Sequence, residues 1–154
     1  MRWSPSPDDR NPGEVPRRDL CDDASVEMQT IGALVFAVTA AGVVAFQIAL
    51  ALGAPWGEYA MGGAFPGRFP PPLRVAALIQ AVLIGLLAVA VLSAAGLVLV
   101  ELGVAAPWLI WAAVVVSAVA LVLNAISRSA GERRIWVPVA VVMFVSSLVV
   151  ALTA

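Results

Sequence analysis

Long stretches of this chain carry no charge: none lies between Thr30 and Leu52, none between Ile135 and Ala154, and only Glu101 between Val75 and Ser127. A helix rises about 1.5 Å per residue, so about 20 apolar residues cross the roughly 30 Å of a bilayer's hydrocarbon. With 62% hydrophobic and 12% charged residues and a mean hydropathy of +0.98, runs of that length define an integral membrane protein.

Charge and cysteine content narrow what such a protein can do. Nine arginines stand against ten acids, with no lysine or histidine, so the net charge of -1 gives no field for nucleic acid, and no nucleic-acid partner is expected. The single cysteine, Cys21, cannot form a disulfide within one chain, and without histidine there is no zinc set. Neither a metal nor another cofactor is expected.

Residues 1–29 hold four prolines, seven acids and four arginines. That composition buries too little apolar surface to offset its ordering entropy, so a disordered polar tail is expected, with Met28 as an alternative initiation point. The pair Arg17-Arg18 precedes an apolar run too long for the core of an export signal. Four spans follow, at about 30–52, 73–92, 108–126 and 135–152, which predicts an all-α polytopic protein packed as a four-helix transmembrane bundle. The second and third spans are separated by Ser93 to Pro107, where Gly96, Glu101, Gly103 and Pro107 interrupt the apolar pattern, and Leu97 to Val100 extends a neighbouring helix. Pro138 is expected in the first turn of the last helix, where a missing N–H costs little.

In the first span Ala33, Ala37, Ala41, Ala45, Ala49 and Gly53 recur at every fourth position. Such a ridge lets another helix approach closely, and its drift around the axis favours a crossed contact.

The polar connections carry the other candidates. Gly53 to Arg74 combines a proline stop at Pro55, turn glycines, Trp56 and Tyr59 suited to the interface, and a stiff Pro70-Pro71-Pro72 lead into the second span. The hairpin from Ser127 to Arg134 shares its membrane side. Arg68, Arg74, Arg128, Arg133 and Arg134 make five arginines there, against four on the terminal side, all in the acidic tail. The positive-inside rule therefore predicts a plasma-membrane protein with loops 53–74 and 127–134 in the cytoplasm.

Gly53 to Gly57 reads G-x-P-W-G, Gly62-Gly63 follows, and Asn124 to Pro138 reads N-x-x-S-R-S-x-x-E-R-x-x-W-x-P. This pattern resembles small four-helix membrane proteins of bacteria, common in actinobacteria. The resemblance covers most of Met28 to Ala154 and implies architecture, without an activity.

Polar groups inside spans are costly and often functional. Gln47, Gln80 and Asn124 all fall about 4 to 11 Å inside the loop face, at helical rise, and form a candidate polar vestibule. Gln47 projects about 160° from Ala45 and Ala49, so vestibule and ridge face different neighbours. Candidate loop and headgroup contacts are Trp56, Glu58, Arg68, Arg74, Arg128, Glu132, Arg133 and Arg134, with Glu132 paired to Arg68 or Arg74. No nucleophile–base set, nucleotide loop or paired intramembrane carboxylate appears, which argues against an enzyme. The expected role is structural, or binding of membrane lipid or a small amphiphile, with a second copy or another membrane protein as partner. The alternative is a small homo-oligomeric transporter.

Overall fold

The computed structural model describes residues 17–105 and 107–154, so residues 1–16 of the expected tail lie outside the described residues. Its helices are α1 (Arg17–Leu52), α2 (Pro71–Ala94), the short α3 (Val100–Ala105), α4 (Trp108–Ala125) and α5 (Ala130–Thr153). Asp22–Leu52 within α1, together with α2, α4 and α5, make four helices long and apolar enough to cross a membrane. The chain is an all-α, four-helix membrane bundle.

Three element boundaries differ from expectation, each for a local reason. α1 is already helical at Arg17, so residues 17–29 are not a disordered tail. From Arg17 to Gln29 there is neither proline nor glycine, and once the apolar span has nucleated a helix, each added residue extends it at little cost. α5 starts before Ile135 because Ser129 caps it, its side chain accepting the Glu132 N–H at 3.2 Å. Pro138 thereby falls inside the helix, where it cannot donate to the Arg134 carbonyl. Leu97 to Val100 does not extend α2 or α4: α2 ends in a Schellman motif, with Leu97 N–H reaching Leu92 O at 3.0 Å and Gly96 N–H reaching Ser93 O at 3.0 Å, and Val100 opens the separate α3.

α1 lies between α2 and α5, α4 packs on α5, and a lighter seam between α2 and α4 closes the ring. The buried stripe of α1 is Ala33, Phe36, Ala40, Gln47 and Leu50, a spacing that averages the 3.5 residues of a near-parallel bundle seam. The alanine ridge does not follow it. Ala33 is buried, Ala37, Ala49 and Gly53 are half-buried, and Ala41 and Ala45 are exposed. Every fourth residue advances about 40° beyond a full turn, so the ridge leaves the seam at mid-membrane and the crossed contact within the chain does not form. Gly53 has another task. It is the left-handed residue of the Schellman motif ending α1, with φ of 94°, Ala54 N–H bonding Ala49 O at 2.9 Å and Gly53 N–H bonding Leu50 O at 3.0 Å.

Two apolar clusters divide the interior. On the side of the termini, Ala33, Phe36, Ala40, Val91, Ile110, Ala113 and Val150 bring all four long helices together. On the loop side a smaller cluster of Leu50, Phe69 and Ala77 joins α1, the first loop and α2.

Candidate functional site

The loop from Gly53 to Pro70 folds onto the start of α5. Pro55 stops α1, and the chain then makes two short 3-10 turns at Gly57–Tyr59 and Met61–Gly63. Gly57 is buried and donates to Gly67 O at 2.9 Å, and a Cβ there would stand 2.0 Å from Phe65 O, so only glycine fits. Trp136 Nε1 on α5 donates to Tyr59 O at 2.7 Å, and Ser129 Oγ donates to Glu58 O at 3.3 Å. Phe46 of α1 sits between two indoles, edge-on to Trp136 at 4.6 Å and stacked with Trp56 at 6.1 Å. Aromatic packing of this kind contributes beyond its buried area. The loop and the hairpin thus form one roof, supported by side chains of α1 and α5.

Beneath that roof is a cavity of about 450 Å³. Its walls come from all four long helices at helical spacing: Val43, Phe46 and Gln47 on α1; Ala77, Gln80 and Ile84 on α2; Ser117, Ala120 and Asn124 on α4; Glu132, Trp136, Ala140 and Met143 on α5. Tyr59, Ala60, Met61 and Phe69 form its upper wall. Leu83 of α2 and Val116 and Leu123 of α4 line it too and are exposed, so it reaches the lipid-facing surface between α2 and α4.

All three vestibule amides border this cavity, in different settings. Gln47 is 8% exposed and Asn124 is half-buried, its Nδ2 donating to Ala120 O at 2.8 Å. Gln80 is exposed rather than buried, because it stands at the gap between α2 and α4. Neither the Gln47 nor the Gln80 amide bonds another described residue, both residues line the cavity, and no buried side-chain polar atom among the described residues is left without a partner.

Glu132 also belongs to this wall rather than to the outer loop surface. It is 8% exposed and, among the described residues, is the only charged one lining the cavity. Its expected pairing with Arg68 or Arg74 does not form: Ser127 Oγ donates to Glu132 Oε2, Arg68 is exposed, and Arg74 is engaged elsewhere. Arg74 Nε donates to Phe69 O at 2.8 Å, and its guanidinium lies against Gly53, 3.1 Å from where a Cβ would be. A cation there complements the carbonyl end of α1. Arg128, Arg133 and Arg134 are exposed, and Arg133 donates to the Ser127 carbonyl, so the five loop arginines do not converge on one anion site. Trp56 is 45% exposed at the loop surface. Glu58 is exposed beside the Tyr59 hydroxyl; its hydrogen bond and negative charge raise the Tyr59 pKa above its usual value.

The loop Gly53 to Arg74 was a candidate from the sequence, but Ser117, Trp136 and the loop residues Ala60, Met61 and Phe69 were not among the site residues named there. A usable signal existed for part of this set. Ser129-x-x-Glu132 is the pattern that opens a helix, and a helix begun there places Glu132 and Trp136 one turn apart on one face.

No protein-family model matches the chain, and no curated protein and no solved structure matches it either. The functional reading therefore rests on the geometry of the cavity.

Proposed function

We propose that this multi-pass membrane protein binds a lipid or small amphiphile, without chemical conversion, in the cavity beneath its two loops. The observation that carries the reading is the convergence of Gln47, Gln80 and Asn124 on one mostly apolar space of about 450 Å³. Ligand pockets commonly fall between about 300 and 1,000 Å³ and combine apolar walls with a few fixed polar groups. Amide groups facing hydrocarbon without a partner cost several kcal/mol in order of magnitude, and a polar headgroup supplies the missing bonds while its apolar body occupies the gap between α2 and α4. In this reading the loops face the cytoplasm, as the arginine count suggests; a reporter fused after Ala154 that is active only outside the cytoplasm supports that orientation.

Native mass spectrometry of the purified protein tests the binding reading. A specific amphiphile mass should be retained and should be lost in Gln47→Leu combined with Asn124→Leu. An unchanged spectrum in the double variant removes the proposal. A second reading, transport by a homo-oligomer, draws on Ala41 and Ala45, whose outward positions leave a close-approach surface on α1. Flux of a substrate through liposomes that disappears in Ala41→Leu with Ala45→Leu favours transport over static binding.

A further inference from the structure

We infer that the occupant of this cavity is a hydrophobic cation, an ammonium group carried on an apolar body. The inference rests on the binding reading above and adds the charge of the ligand.

Among the described residues the cavity has one charged wall residue, Glu132, and it is negative. Glu132 stands at the third position of α5, where a capping-box glutamate ordinarily reaches back to the N–H of the capping residue. Here that N–H, on Ser129, is taken by Ser127 Oγ at 3.3 Å, which releases the glutamate from the task. Its carboxylate accepts the Ser127 hydroxyl on Oε2, and the residue, 8% exposed, is part of the cavity wall. No arginine among the described residues pairs with it: Arg74 is held over Gly53 by Phe69 O, Arg133 bonds the Ser127 carbonyl, and Arg68, Arg128 and Arg134 are exposed. A buried carboxylate without a countercharge is expensive, and the helix N-terminus offsets only part of that cost.

The surroundings of Glu132 suit a cation that is weakly hydrated. Phe46, Tyr59 and Trp136 line the same end of the cavity, and Phe46 and Trp136 meet edge to face at 4.6 Å. Aromatic faces attract ammonium groups electrostatically and replace part of their hydration. The amide oxygens of Gln47 and Gln80 carry partial negative charge that suits a cation, while among the described residues nothing cationic lines the wall to hold an anion. The ammonium can belong to a lipid headgroup or to a free hydrophobic amine, since both present the same chemistry to this wall.

The test is calorimetric titration of the full chain in detergent with 4-phenylbutyltrimethylammonium and with its uncharged isostere, in which carbon replaces the quaternary nitrogen. The cation should bind wild type at least about tenfold tighter than the isostere. Glu132→Gln, which keeps the shape and the Ser127 contact, should erase that preference while leaving isostere affinity within about twofold. Glu132→Asp, which keeps the charge, should retain the preference and shows that α5 still folds. A preference that survives Glu132→Gln overturns the inference. Isostere and cation binding equally to wild type overturns it while leaving the binding reading intact, and neither binding overturns both. Native mass spectra from nanodiscs of equal phosphatidylethanolamine and phosphatidylglycerol separate the sources. Glu132-dependent retention of phosphatidylethanolamine identifies a lipid headgroup, and cation binding without lipid preference identifies a free amine.

Discussion

The two halves of the bundle are built from similar residues and end up in opposite states. Toward the termini, Phe36 and Val91 are fully buried and fill the space between small partners Ala33, Ala40 and Ala113, so the interior is solid. Toward the loops, Ala77 of α2, Ser117 and Ala120 of α4 and Ala140 of α5 are all small and line the cavity, so the helices enclose a space instead of closing it. The difference shows that hollowness here is a matter of register, with large opposite small in one half and small opposite small in the other. The larger polar groups follow the same division: Gln47, Gln80, Asn124 and Glu132 border the hollow half, while the buried Ser93, Ser146 and Ser147 of the other half bond carbonyls of their own helices.

The comparison breaks most readily in the solid half. Phe36→Ala should destabilise the fold by about 3 kcal/mol or more, read as a lower midpoint in detergent melting followed by helical circular dichroism. A small effect would mean that the terminal half is no better filled than the other. Next in size, Gly57→Ala forces its Cβ against Phe65 O and should cost about 1 to 3 kcal/mol while loosening the roof, seen as faster hydrogen exchange of the Gly57 to Gly67 segment. Ala120→Leu extends into the hollow half and should change stability by less than about 1 kcal/mol while abolishing amphiphile retention. Strong destabilisation there would show that the space is already filled by protein. The smallest effect is expected from Ala41→Leu with Ala45→Leu, within about 0.5 kcal/mol for the isolated chain because both positions are exposed. A marked fall in melting midpoint would reveal a second copy packed on that face.

Much of the architecture was readable because hydrocarbon imposes a hard rule on length and charge. The spans declared themselves through uninterrupted apolar runs, and the common depth of Gln47, Gln80 and Asn124 anticipated their shared cavity. What escaped depended on angle rather than depth. Glu132 lies at the edge of a span, and whether it points inward turns on where α5 begins, since each residue rotates the helix by about 100°. Its start is fixed by one cap at Ser129, inside a polar segment that hydropathy alone assigns to a loop. The alanine ridge failed for a related reason: regular spacing along a sequence does not identify the seam, because the seam repeats at 3.5 residues and the ridge at four. Gln80 was placed at the right height, but its exposure reflects a gap between α2 and α4 that no local pattern encodes.

The roof over the cavity is fastened by Trp136 to Tyr59 and Ser129 to Glu58, whereas among the described residues no such bond spans the exposed gap beside Leu83 and Leu123. If the cavity binds an amphiphile as proposed, an occupant leaving toward water would have to break those fastenings and one leaving sideways would break none. Its residence time would then be governed by partitioning between the cavity and the surrounding bilayer. Changing the thickness or lateral pressure of the membrane should alter the exchange rate more than changing the concentration of ligand in solution.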